Sequence, residues 1–211
     1  MRVENLWLLN VHQAKDIKNF LNLTELVELG AAERSKLLDE ILELGDEIFG
    51  SGVVDTIREC LQCGRCTGSC PSGRITALRT RKVFLMSLLD MRERLLSSDE
   101  LWQCTTCYTC YERCPRKVKT TDIIRIIRNI AVREGYMADA HRRVAALVIK
   151  TGHAVPIDEA TKEQRRKLGL DEVPPTTQRH EAALKELQEI VKKTGFDKLV
   201  GFDWAKMDIV T

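Results

Sequence analysis

Eight cysteines fall in two short runs, Cys60-Leu61-Gln62-Cys63-Gly64-Arg65-Cys66-Thr67-Gly68-Ser69-Cys70-Pro71 and Cys104-Thr105-Thr106-Cys107-Tyr108-Thr109-Cys110-Tyr111-Glu112-Arg113-Cys114-Pro115. Both read C-x2-C-x2-C-x3-C-P, the spacing that ligates cubane 4Fe-4S clusters. A cubane presents a separate iron at each of four corners, and three thiolates on one tight loop can each reach a different corner, so the fourth must come from elsewhere. Structural zinc is the bland alternative, but zinc sites use two cysteine pairs separated by a loop, and three cysteines within seven residues leave no natural partition around single tetrahedral ions. Four plus four ligands consume every thiol, so none remains for a nucleophile or a redox dithiol. No G-x-G-x-x-G supports a bound flavin or nicotinamide. These residues describe electron carriage, with no catalytic constellation of their own.

In two-cluster ferredoxins the last cysteine of each run ligates the other cluster. That rule assigns Cys60, Cys63, Cys66 and Cys114 to one cluster and Cys104, Cys107, Cys110 and Cys70 to the second. Pro71 and Pro115 cannot continue a preceding helix and are expected to turn the chain away after its ligand. Gly64 and Gly68 let backbone amides approach the first loop, whereas Trp102, Tyr108 and Tyr111 offer apolar cover to the second, which is expected to give the second cluster the lower potential. Arg116, Lys117 and Lys119 after Cys114 are candidates to offset cluster charge or steer an acidic partner. His12, His141, His153 and His180 are scattered, with no spacing that suggests a shared site.

The chain has 211 residues, 44% of them hydrophobic, enough for a domain core with extensions. Lys and Arg (33) nearly balance Asp and Glu (31), and the net charge of +2 gives no general reason to expect nucleic acid or a membrane surface as partner. No secretory signal and no run of about 18 apolar residues is present, which predicts a soluble, cytoplasmic protein and argues against a disulfide framework.

The elements that must position the cysteines read as mainly α. Residues 12–49 carry helical periodicity with a break near Gly30, and Thr76–Leu96, free of Pro and Gly, reads as one helix. Ser98 is a plausible N-cap for a short helix delivering Trp102 and Cys104. Ile123, Ile126, Ile127 and Ile130 against Arg125, Arg128 and Arg133 predict an amphipathic helix. Another spans about 138–150, residues 151–178 with Pro156 and Pro174-Pro175 are expected to lie extended, and Leu184, Leu187, Ile190 and Val191 mark a last helix. The expected organisation is a helical N-terminal extension (1–50), an α-helical ferredoxin domain with both motifs (51–150) and an extended C-terminal tail with a docking helix (151–211).

The duplicated motif, with 33 residues of helical sequence between Cys70 and Cys104, resembles the α-helical ferredoxin domains of multi-subunit oxidoreductases such as succinate dehydrogenase, glycolate oxidase and anaerobic glycerol-3-phosphate dehydrogenase. The layout, including Gly152-His153-Ala154-Val155-Pro156 and Leu168-Gly169-Leu170 to Pro174-Pro175-Thr176, is most similar to a family of iron-sulfur subunits, designated C, from methanogenic heterodisulfide reductases. That resemblance implies a cytoplasmic complex. Its flavoprotein component bifurcates electrons, the iron-sulfur component relays one branch, and a catalytic component with a Cys-Cys-Gly motif reduces the coenzyme M/coenzyme B disulfide. A hydrogenase or formate dehydrogenase supplies the electrons. Cys-Cys-Gly is absent here, in keeping with a relay. The other readings open on sequence are a relay of another dehydrogenase or a sulfur-metabolising complex, and an enzyme fragment with a pocket of its own.

Overall fold

The computed structural model describes residues 36–210, so the expected helix over 12–35 and its break near Gly30 lie outside the described residues. The remainder of that periodic stretch forms α1 (Lys36–Phe49), which buries Leu37, Leu38, Ile41 and Leu44. Gly45 sits inside this helix because a Cβ there would collide with Val54 Cγ2; close packing of the following loop offsets the roughly 1 kcal/mol that a helical glycine costs.

A 3-10 turn (Asp55–Glu59) leads into the first cysteine run, whose third cysteine lies on the single-turn helix α2 (Arg65–Gly68). The stretch expected as one helix over 76–96 is two: α3 (Thr80–Leu88) and α4 (Arg92–Leu96). The chain breaks at Asp90, which adopts a left-handed φ of 52° and accepts the Leu37 N–H on its Oδ1 at 2.9 Å. A long-range cap for the start of α1 thus ends α3, satisfying an amide that has no partner within its own helix. Ser98 accepts from Glu100 N as expected of a cap, although the turn it opens (Asp99–Gln103) is 3-10.

The second run carries α5 (Thr109–Glu112), and α6 (Thr120–Arg133) follows. The predicted amphipathic face holds: Ile123, Ile126, Ile127 and Ile130 are wholly buried, joined by Ile124 and Ala131. α1 packs along α6, and α3 and α4 close the same core through Phe84, Leu95 and Leu96. Arg92 ties three elements at the surface, donating to Glu40 of α1 at 2.6 Å and to Glu134 beyond α6. Trimming one methyl group from this core, Ile127→Val, is expected to lower the unfolding free energy by about 0.5–1.5 kcal/mol, read from the urea midpoint; an unchanged midpoint would contradict close packing around α6.

Beyond it come α7 (Asp139–Thr151), α8 (Glu159–Lys167), a 3-10 turn (Thr177–Arg179), α9 (Glu181–Thr194), α10 (Phe196–Val200) and a minimal antiparallel pair, β1 (Phe202–Asp203) with β2 (Asp208–Ile209). Ala146, Ile149, Val191 and Phe202 form a second small core there, which draws α7 to the C-terminal elements. The segment expected to be extended instead contains α8. This helix buries no residue, so it leaves no apolar periodicity to detect. It is held by the Asp158 cap on Thr161 N at 2.8 Å and by ion pairs within the helix, Lys162–Glu159 and Arg166–Glu163. No helix among the described residues is long and apolar enough to cross a membrane.

Candidate metal centre

Both cysteine runs have the same backbone course. Each leaves a 3-10 turn at an extended cysteine, Cys60 or Cys104. It then passes through two left-handed residues, Gln62 (φ 54°) and Gly64 (80°) in the first run and Thr106 (52°) and Tyr108 (61°) in the second. These reversals wrap each loop so that successive cysteines can face one hollow. Tyr108 occupies the position that glycine holds in the first run, a conformation costing about 1 kcal/mol or more for a residue with a Cβ, and its hydroxyl is held by Asp122 Oδ1 at 2.9 Å. The two single-turn helices, α2 and α5, pack against each other and bring the loops together.

Cys60, Cys63, Cys66 and Cys114 line one recess, walled by Phe84, Val118 and Thr120. The fourth cysteine of the second run therefore stands with the first three of the first. In the other half, the Cys104 thiol is raised by burial, with smaller contributions from Cys110 and from Cys70, the fourth cysteine of the first run. The packing of α2 on α5 sets the two runs side by side, and the Cys66 thiol is influenced by both Cys60 and Cys110. Among the described residues no three His, Cys, Asp or Glu side chains converge on a single point as one metal ion requires; the first four thiols instead surround a hollow.

Donors surround the sulfurs as thiolates require. Gly73 N–H donates to Cys70 Sγ at 3.2 Å, Val118 N–H to Cys114 Sγ at 3.4 Å, Gln62 Nε2 to Cys60 Sγ at 3.4 Å, and the Thr120 hydroxyl to Cys110 Sγ at 3.0 Å. A Cβ at Gly73 would meet Leu78 O at 2.8 Å and Cys70 Sγ at 3.6 Å, so only glycine brings its amide this close. The recess of the first group and the donors around the sulfurs of both runs fit a polynuclear iron-sulfur group.

Burial pushes the Cys66 thiol up to about 11 and also raises Cys104, while the Thr109 hydroxyl and amide pull the exposed Cys107 down. Thiols raised by burial hold their protons near neutrality, and ligation must displace those protons. Reconstitution of the apoprotein with iron and sulfide is therefore expected to accelerate as pH rises from about 7 to about 9; a flat rate profile would contradict buried, protonated thiols at the site.

Several residues at the site carried no sequence signal. Thr120 and Thr121 read only as the start of a helix, yet both hydroxyls reach Cys110 Sγ, the second at 3.5 Å. Arg128, read as part of the polar face, is turned inward. It donates Nε and Nη2 to Leu101 O at 3.0 and 2.8 Å and Nη2 to Cys104 O at 2.7 Å, and burial lowers its pKa. The aromatic residues expected as cover each have polar company. Trp102 packs on Arg128 and on His141, 5.1 Å away, and Tyr111 accepts from Lys119 Nζ at 3.1 Å. Of the basic trio after Cys114, Arg116 pairs with Glu59 and Lys119 lies over the Tyr111 ring. His153 and His180 join no metal-binding group among the described residues, and His12 lies outside them.

Residues 34–118 match the 4Fe-4S dicluster domain family. The chain is 55% identical to the iron-sulfur subunit, designated C, of CoB–CoM heterodisulfide reductase from Methanopyrus kandleri, over 82% of this chain and 90% of the relative. It is 52% identical to the corresponding iron-sulfur subunit, designated C 2, of CoB–CoM heterodisulfide reductase from Methanocaldococcus jannaschii, over 82% and 92%. It is 49% identical to the subunit designated C of the H(2):CoB-CoM heterodisulfide,ferredoxin reductase from Methanothermobacter thermautotrophicus, over 77% and 87%. Matched along most of both partners, the chain belongs to this family of heterodisulfide reductase iron-sulfur subunits, the electron-transfer components of that oxidoreductase complex.

Proposed function

We propose that this chain holds two 4Fe-4S clusters, one on Cys60, Cys63, Cys66 and Cys114 and the other on Cys104, Cys107, Cys110 and Cys70, and relays single electrons between partner subunits in the cytoplasm. Its donor is a flavin-containing, bifurcating subunit, fed in turn by a hydrogenase or formate dehydrogenase. Its acceptor is the catalytic subunit that reduces the coenzyme M/coenzyme B heterodisulfide. The observation that carries this reading is the recess that collects Cys114 with Cys60, Cys63 and Cys66 from the opposite run.

When bound, such a cluster supplies one-electron redox chemistry with little structural change. The chain's own residues do the rest. Phe84, fully buried, and Val118 exclude water from the first recess. Thr120 and Gly73 place hydrogen bonds on sulfur that favour the thiolate. Cys63 and Cys107 are exposed, one from each group, and give each an edge at the surface where a partner can approach. We also propose that the C-terminal unit, expected from the sequence to begin at residue 151 after a ferredoxin domain over 51–150, serves docking; the second core, which joins Ala146 and Ile149 of α7 to Val191 and Phe202, supports extending that unit back to α7.

The test is reoxidation. The anaerobically reduced chain is mixed with the catalytic partner and the heterodisulfide, and its visible absorbance is followed. Recovery of the oxidised spectrum only when both are present supports the relay; reduction of the disulfide by the isolated chain would move the substrate site onto this polypeptide.

A further inference from the structure

The groove between the two cysteine loops has a volume of about 610 Å³ and is lined by Arg65, Gly68, Ser69, Arg74, Thr109 and Arg113. Three guanidiniums from both runs converge on it: Arg65 from α2, Arg74 from the turn after Cys70, and Arg113 from the end of α5. All three are exposed, and among the described residues none meets a carboxylate, whereas the neighbouring Arg116 is paired with Glu59. A chain of net charge +2 thus gathers unpaired positive charge on one face.

The surroundings of the groove indicate what covers it. Ile75, next to Arg74, is 88% exposed, and Leu61, which lines the cysteine recess that shares Arg65 with the groove, is 66% exposed. Apolar side chains beside arginine are the composition of a protein interface, whereas a small free anion would use the arginines and neither Ile75 nor Leu61. Arg65 lines both this groove and the recess of Cys60, Cys63, Cys66 and Cys114. A partner seated on the arginines therefore lies against the exposed Cys63 edge, where electrons would cross.

Resting on the relay reading above, we infer that this groove is the docking surface for an acidic protein segment of an electron-exchanging partner, with aspartate or glutamate side chains on Arg65, Arg74 and Arg113 and an apolar contact on Ile75. Arginine forks bind carboxylates bidentately, and charge complementarity acts chiefly on association and on salt dependence.

The experiment uses the full chain, anaerobically loaded, with the flavoprotein and the disulfide-reducing partner produced separately. Binding of each is measured from about 0.05 to 0.5 M salt for wild type, for Arg65→Gln/Arg74→Gln/Arg113→Gln and for Ile75→Ser. For one of the two partners, wild-type binding is expected to weaken steeply with salt. The triple variant should bind that partner about tenfold or more weakly at low salt, with a flattened salt dependence, and Arg74→Gln/Arg113→Gln, which leaves the cysteine recess untouched, should shift binding in the same direction with wild-type iron content. Ile75→Ser should weaken the same complex while keeping its salt slope. A triple variant that binds both partners with the wild-type salt profile overturns the proposal. So does a groove whose substitution changes only the binding of inorganic phosphate. A wild-type chain that carries its iron yet binds neither partner overturns the relay reading itself.

Discussion

Cys114→Ala is expected to remove the centre anchored at residues 60, 63 and 66 and to leave the centre of Cys104, Cys107 and Cys110 intact. Iron per chain should fall from about eight to about four. The geometry behind this is the recess where the Cys114 thiol faces the first run, oriented by the Val118 N–H on its sulfur. Without it three thiolates remain and one corner loses its ligand. Cys70→Ala should do the reverse if the exchange of ligands is reciprocal, with the Cys70 sulfur oriented by Gly73 N–H. A double-mutant comparison makes the assignment strict, since residues acting on one site are not additive. Adding Cys63→Ala to Cys114→Ala should remove little further iron, whereas adding Cys107→Ala should remove nearly all of it. If Cys114→Ala instead spared the first run and emptied its own, the exchange of ligands would be wrong.

Arg128→Met is expected to act in two ways, on the stability of the domain and on the potential of the second centre. The guanidinium donates to both Leu101 O and Cys104 O, so its loss strips two carbonyls of that partner, one of them on the fully buried Leu101, at a cost of about 2–4 kcal/mol in unfolding free energy. It also removes a half-buried positive charge one residue's carbonyl away from a ligand. Were the cluster on Cys104 roughly 8–10 Å from the guanidinium, one charge at an effective dielectric of about 20 would be worth about 2 kcal/mol, which for a one-electron couple is a fall of roughly 50–100 mV. The sign follows from charge: a cation favours the reduced, more negative state, so its removal lowers the potential. Arg128→Lys should recover most of the potential and little of the stability, because an ammonium keeps the charge but lacks the fork. A redox titration of Arg128→Met in which neither centre moves would contradict a role in setting potential. The expectation that aromatic cover gives the second centre the lower potential meets this charge as an opposing influence.

The eight thiols and the mainly helical architecture were legible because both are written in local spacing. A C-x2-C-x2-C-x3-C-P run needs only its own loop to present three sulfurs, and the isoleucines of α6 need only one turn to reveal their face. What escaped depends on contacts far apart in the chain. Asp90 ends a stretch of good helix formers in order to hold Leu37 N, and no property of residues 76–96 contains α1. Arg128 looked solvent-facing because its carbonyl partners lie 24 and 27 positions away. α8 escaped for the opposite reason: it is wholly local, but stabilised by a cap and charge pairs with no buried stripe. The unpaired arginines of the interloop groove could not be told from the paired Arg116 until the loops were brought together.

The most direct measurement is iron, acid-labile sulfide and zinc analysis of the anaerobically purified chain, with EPR after stepwise reduction. Two cubanes on eight thiolates predict brown protein with about eight iron and eight sulfide per chain and two 4Fe-4S signals that appear at separate potentials. Colourless protein containing about two zinc ions per chain, or brown protein that never exceeds about four iron, would contradict them.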